Sequence, residues 1–136
     1  VRPSQQVLGD QPEFEPLGIS PAVMRIIRKG MFQVTHGSLG TARNYNLPSR
    51  FGGMAGKTGT VQVKRITKEQ REAGITKNIE RPWKERDHAL FVGYAPVKNP
   101  RYAVSVVVEH GGSGSSMAAP IAQAALQRAL LTEDKA

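Results

Sequence analysis

Lys57, Thr58 and Thr60 are the residues of this 136-residue chain best placed to do chemistry. They stand in the run Phe51-Gly52-Gly53-Met54-Ala55-Gly56-Lys57-Thr58-Gly59-Thr60-Val61-Gln62-Val63. Small residues lead into Lys-Thr-Gly-Thr, and apolar and polar residues then alternate. Thr and Val favour strands, so the pattern predicts a strand over Lys57 to Val63 within a motif stretch 51–63. The glycines before it let another surface come close. Thr58 and Thr60 are two apart and share a face, while Lys57 points to the other face or lies at the rim. An ammonium and two hydroxyls on one strand make an anion-binding edge.

One reading of Gly56-Lys57-Thr58 is the phosphate loop, G-x-x-x-x-G-K-[ST]. That loop needs a glycine five positions before Gly56, where Phe51 stands, and Gly52 comes one residue too late. It also needs a helix directly after the lysine, and Thr60-Val61-Gln62-Val63 starts a helix poorly. No second constellation competes. His36, His88 and His110 are far apart in sequence and lack a spacing such as H-E-x-x-H, so no metal site is expected. With no cysteine there is no disulfide framework, no thiol nucleophile and no zinc–cysteine site. Glu109 could pair with Arg101 or with a basic residue of 64–87, and His110, in the loop beyond the last strand, could line the cleft, with a turn role preferred.

The formal net charge of +8 favours anionic partners: nucleic acid, an anionic lipid surface or an acidic polymer. The basic residues form no single run, and aromatic residues are few for a base-stacking surface. No apolar run approaches membrane-spanning length. The chain opens on Val1 rather than Met, with no signal peptide, which fits a piece of something longer.

Several elements must position the motif. Residues 1–19, rich in Pro, Gly, Gln and acids, read as an extended lead-in. Ser20-Pro21 looks like a cap followed by a first-turn proline, opening a helix over 20–36. Its apolar residues Val23, Met24, Ile26, Ile27, Met31 and Val34 recur at helical spacing and read as a core face. His36 to Arg50 reads as a loop, in which the hydroxyl of Gly40-Thr41 could serve a site, with turn chemistry the preferred role. Residues 64–87 interleave both signs of charge and read as a long excursion with a short helix around Lys68 to Ala73, either functional or simply solvated. His88 to Ala95 and Tyr102 to Glu109 read as strands joined by a Lys98-Asn99-Pro100 turn, an antiparallel hairpin within 88–110. Ser115 or Ser116 can cap a terminal helix over 116–131, with Ile121, Ala125, Leu126, Ala129 and Leu130 on one face. The order helix, strand, strand, strand, helix predicts an α+β arrangement: a three-stranded antiparallel sheet covered by helices.

Several segments occur together in one order: Ala55 to Val63, Arg86-Asp87-His88, Gly93-Tyr94-Ala95-Pro96, Glu109-His110-Gly111-Gly112-Ser113-Gly114, and a helix opening Ala118-Ala119-Pro120-Ile121-Ala122. This ensemble resembles the C-terminal part of the transpeptidase domain of class B penicillin-binding proteins, and the elongation-specific type more than the septal type. The resemblance runs from about Ser20 to Leu131. It implies a reaction in which a serine attacks the penultimate D-Ala carbonyl of a peptidoglycan stem peptide and releases D-Ala. The acyl-enzyme then passes to an amine on a neighbouring stem, and β-lactams mimic the D-Ala-D-Ala end. The resemblance assigns Lys57 to supply positive charge beside the reacting serines. It assigns Thr58 and Thr60 hydroxyls to the terminal carboxylate, and Gly59 to let the ligand approach. The Thr60 backbone N–H becomes one oxyanion-hole donor, a group worth about 3–4 kcal/mol of transition-state stabilisation. No cofactor is implied. The implied partners are stem peptides, β-lactams and cell-wall elongation proteins, at the periplasmic face of the bacterial inner membrane, with the anchor outside this chain.

The chain also departs from the family. None of Ser4, Ser20, Ser38, Ser49, Ser105, Ser113, Ser115 and Ser116 has lysine three positions on, and none has Asn or Asp two positions on. The nucleophile motif Ser-x-x-Lys and the motif Ser-x-Asn are therefore absent. By itself the chain is expected neither to react with penicillin nor to cross-link anything, and an incomplete core is expected to favour self-association. A basic binding module without chemistry, for an anionic polymer or nucleic acid, is the rival from another class. It explains the charge and the missing nucleophile, but not the ordered family-like segments. A third reading makes 64–87 a docking surface for another cell-wall protein.

Overall fold

The computed structural model describes residues 15–75 and 77–133, so residues 1–14 of the expected extended lead-in lie outside the described residues. The main elements are α1 (Pro21–His36), β1 (Ala55–Val61), α2 (Lys68–Glu72), β2 (His88–Ala95), β3 (Tyr102–Val108) and α3 (Ala119–Glu133), with short 3₁₀ turns between them. The three strands form one antiparallel sheet in the order β1-β2-β3. Helix α1 packs on β1, and α3 packs on β3 and β2. This is the expected α+β arrangement.

Helix α1 starts where its sequence signals put it. Ser20 Oγ accepts the Val23 N–H at 3.3 Å, and Pro21 occupies the first turn, where its missing N–H costs nothing. The expected core face of α1 is corrected at Val23, Ile26 and Ile27, while Met24 and Met31 are half-buried and Val34 packs against the core. Val23, Ile26 and Ile27 are 47%, 71% and 44% exposed, and Thr35 is the helix's buried residue. No element among the described residues lies over those apolar positions, so the helix meets the sheet through its C-terminal turns. There Thr35 Oγ1 donates to Met54 O at 2.6 Å, a buried bond between α1 and the lead-in to β1.

Strand β1 begins and ends earlier than the Lys57–Val63 expectation. The stretch 51–54 is not strand. A 3₁₀ turn over Ser49–Phe51 is followed by Gly52 and Gly53 at φ 73° and 68°, a left-handed corner that L side chains resist. The Met54 N–H goes to Asn46 Oδ1 at 3.1 Å instead of to a ladder. At the far end the β1–β2 ladder stops at Val61↔His88. Within the ladder Gly56 faces Gly93, and a Cβ on Gly56 would meet the Phe91 ring and come within 2.6 Å of Val92 O. Phe91 is fully buried, so this glycine is what lets β1 and β2 close over it.

Helix α3 is also corrected. It is entered through a π-helical turn, Gly114–Ala118, rather than a serine cap, and Ser113 Oγ and Ser115 Oγ bond each other at 2.9 Å. A π turn carries an extra residue, which rotates the phase of the helix beyond it. The buried face is therefore Ala118, Ala119, Ala122, Leu126 and Leu130, while Ile121 and Ala125 are exposed. The three alanines allow close approach to the sheet, and together with Leu47, Phe51, Met54 and Phe91 this face forms the core.

Thr35→Val keeps shape but leaves Met54 O buried without its donor. It is expected to lower stability by about 1–3 kcal/mol in urea unfolding, with Thr35→Ser recovering most of the loss. Equal stability of the valine variant would mean that this bond does not hold α1 to β1.

Candidate active site

Among the described residues β1, like β3, has a neighbour on one side only, so it is an open edge of the sheet. Alternate backbone N–H and C=O groups of an edge strand point away from the sheet and can pair with a ligand. Lys57, Thr58, Gly59 and Thr60 sit opposite Val92, Phe91, Leu90 and Ala89. Lys57 is exposed and its Nζ donates to Thr58 O at 2.7 Å, so the ammonium lies along the edge. Thr60 is exposed and Thr58 half-buried. The turn Gly114–Ala118 packs behind Gly59, where a Cβ on Gly114 would lie 3.0 Å from Gly59 N. All four motif residues are thus on one strand, and three of them carry an ammonium or a hydroxyl.

A fifth residue joins them. Thr41 Oγ1 lies 2.8 Å from Thr58 Oγ1. Turn chemistry alone does not account for Thr41, and Gly40-Thr41 was the signal in the sequence. Thr41 and Lys57 both line a cleft of about 520 Å³ between the C-terminal turns of α1, the loop 37–41 and β1.

Polar clamps hold both ends of this edge. At the lead-in, His36 Nδ1 lies 2.9 Å from Thr35 Oγ1, and Asn46 Nδ2 lies 2.8 Å from His36 Nε2. Gln123 Nε2 of α3 donates to Asn46 O at 2.7 Å. At the far end, Arg81 pairs with Asp87 at 2.7 Å, their side chains 3% and 18% exposed. Asp87 Oδ1 accepts the Val63 N–H at 3.4 Å, and Asn78 Oδ1 accepts the Asp87 N–H at 2.8 Å and an Arg81 N–H. The Gly112 N–H donates to Asp87 O at 2.8 Å, tying in the loop after β3.

The excursion is therefore anchored along its C-terminal half. Its short helix α2 carries a capping box in which Thr67 Oγ1 accepts the Gln70 N–H at 3.3 Å and Gln70 Oε1 accepts the Thr67 N–H at 3.0 Å. In its first turn the Glu69 carboxyl is held below the usual range by its own backbone N–H and then by the Thr67 hydroxyl.

Two histidines far apart in sequence are brought together. The His110 N–H donates to His88 Nδ1 at 2.8 Å, and His110, at φ 55°, lies under Trp83 with ring centroids 4.3 Å apart. Among the described residues no three His, Cys, Asp or Glu side chains are grouped to hold a metal. Glu109 is exposed and forms no ion pair among the described residues; the excursion instead pairs Lys64 with Glu85 at 2.5 Å and Arg81 with Asp87.

Residues 9–127 match the family described as the penicillin binding protein transpeptidase domain. The chain is 36% identical over 104 residues to peptidoglycan D,D-transpeptidase MrdA of Haemophilus influenzae, covering 75% of this chain and 15% of that protein. In structure it is similar to PBP2 of Pseudomonas aeruginosa, solved in complex with WCK 5153, with a TM-score of 0.54 and 41% identity over 76% of this chain and 18% of that one. It is also similar to PBP2 of Helicobacter pylori, solved in complex with MreC, with a TM-score of 0.62 and 25% identity over 85% of this chain and 18% of that one. The chain thus spans less than a fifth of the length of each of these proteins.

Arg81→Met removes one partner of a buried pair and leaves the Asp87 carboxylate behind. The expected cost is about 3 kcal/mol, the low end for a broken buried pair, because Asp87 keeps some solvent. Urea unfolding checks it; a change within error of zero would mean that the pair does not anchor the far end of the edge.

Proposed function

The chain belongs to the penicillin-binding protein transpeptidase family, and on that premise we propose that it carries the Lys-Thr-Gly-Thr strand of an elongation-type peptidoglycan D,D-transpeptidase. The observation that carries this reading is the placement of Lys57, Thr58 and Thr60 on the edge strand β1, with Lys57 lining the cleft. In this reading a serine outside this chain attacks the D-Ala carbonyl of a stem peptide, D-Ala leaves, and an amine of a second stem takes the acyl group. Lys57 holds positive charge beside the reacting hydroxyls. Thr58 and Thr60 hydroxyls donate to the terminal carboxylate, Gly59 leaves room for the ligand, and the Thr60 N–H faces the developing oxyanion. The same groups receive a β-lactam carboxylate, so the complete protein is acylated by penicillins. No cofactor enters these steps.

The names MrdA and PBP2 among the relatives support the elongation type over the septal type. The H. pylori complex with MreC supports an elongation protein as partner. The reaction places the complete protein at the periplasmic face of the inner membrane, in maintenance of cell shape. The isolated chain, without Ser-x-x-Lys or Ser-x-Asn, is inactive.

Fluorescent penicillin tests the reading. The complete protein is expected to take the label and the isolated chain to remain unlabelled. Thr58→Val in the complete protein is expected to slow acylation about tenfold or more, the effect of losing a hydrogen bond to a charged group. Labelling of the isolated chain would refute its inactivity. An unlabelled complete protein would refute the transpeptidase reading.

A further inference from the structure

A hydroxyl carries one proton, so the direction in which Thr58 points its proton decides whether it can serve an anion. Thr58 Oγ1 has Thr41 Oγ1 at 2.8 Å, and the pair is bonded whichever of them donates. If Thr58 donates to Thr41, its proton is spent and its oxygen offers a ligand only lone pairs, which repel a carboxylate. If Thr41 donates to Thr58, the Thr58 proton is free for the ligand and the bond polarises it outward.

The loop that carries Thr41 is held in place. The Ala42 N–H donates to Val34 O at 2.9 Å, and the Gly40 N–H donates to Gly37 O at 2.9 Å. A Cβ on Gly40 would collide with the carbonyl oxygens of Gln33 and Val34, so the loop lies directly on the last turns of α1. Ala42 is fully buried, and Arg43 Nη1 donates to Ser38 O across the loop. Thr41 thus offers its hydroxyl from a fixed backbone, beside the cleft that Lys57 lines.

We propose that Thr41 is a positioning residue, whose hydroxyl donates to Thr58 Oγ1 and turns the Thr58 proton toward the carboxylate of the ligand. The proposal rests on the transpeptidase reading, in which Thr58 meets that carboxylate. Thr41 acts through Thr58 and makes no contact with the reacting carbonyl.

The test uses the complete protein and the second-order acylation rate with benzylpenicillin and with its methyl ester, which lacks the charged carboxylate. Thr41→Val is expected to slow acylation by benzylpenicillin about three- to tenfold, the range for one neutral hydrogen bond. The ester rate is expected to stay unchanged, Thr41→Ser to restore the penicillin rate, and Thr41→Val/Thr58→Val to be no slower than Thr58→Val alone. Thermal unfolding of each variant identifies a folding defect, which would slow both substrates alike. Equal slowing of penicillin and ester, failure of the serine variant to restore the rate, or multiplying effects of the two valines would overturn the proposal. A Thr41→Val protein as fast as the parent, with Thr58→Val impaired, would overturn the positioning role and leave the transpeptidase reading standing. A parent protein that penicillin does not acylate would overturn both.

Discussion

The buried bond from Thr35 Oγ1 to Met54 O is the contact on which the candidate site depends. It fixes the end of α1 against the residue just before β1, and both the cleft and the motif edge take their positions from it. Thr35 is 1% exposed and Met54 fully buried, so neither group can turn to water instead. Asn46 reinforces the same point from the other side, accepting the Met54 N–H while bonding His36 and receiving Gln123 from α3. One backbone residue is thereby held through both its N–H and its C=O, by a helix before it and a loop after that helix. A strand started in this way has little freedom in its register, and a site made of successive hydroxyls requires that.

The opposite end of β1 is held by different chemistry. There the Arg81–Asp87 pair gathers the excursion, the end of the motif strand and the loop after β3 around one carboxylate. Asp87 accepts from Arg81 and Val63 through its side chain and from Gly112 through its backbone. Among the described residues Arg81 Nε is buried without a partner, so this cluster is not fully satisfied there. Replacing the pair by apolar residues can cost less than breaking it, which argues that geometry rather than raw stability is what the ions supply here. The edge is thus stretched between a neutral clamp at one end and an ionic one at the other.

The sheet was legible because period-two alternation and the turn at Lys98-Asn99-Pro100 are local signals. The N-terminus of α1 was legible for the same reason, since Ser20-Pro21 acts within one turn. The features that could not be read depend on contacts remote in sequence. The early start of β1 follows from Ala55 and Gly56 pairing with Tyr94 and Gly93, and its limits from Asn46 and Asp87 capturing the N–H groups of Met54 and Val63. The rotated face of α3 follows from a π turn that the run Gly114 to Ala118 does not announce. At the site, Lys57, Thr58 and Thr60 stood in one motif, whereas Thr41 reaches Thr58 across 17 residues and was marked in the sequence only by the hydroxyl of Gly40-Thr41, for which a turn was the preferred role.

Helix α1 shows the limit of reading burial from periodicity. Val23, Ile26 and Ile27 recur as a core stripe does, yet all three are exposed among the described residues. Periodicity records which face of a helix is apolar, and packing decides whether anything meets it. The chain covers 15% of the H. influenzae relative, so a stripe that is apolar in pattern and bare in this structure is consistent with both facts. The C-terminal turns behave differently, because Thr35 and Val34 meet the lead-in to β1 and the loop through hydrogen bonds that the chain supplies for itself. The part of α1 that positions the motif is therefore the part whose contacts are complete, and the geometry of Lys57, Thr58 and Thr41 does not rest on the bare stripe.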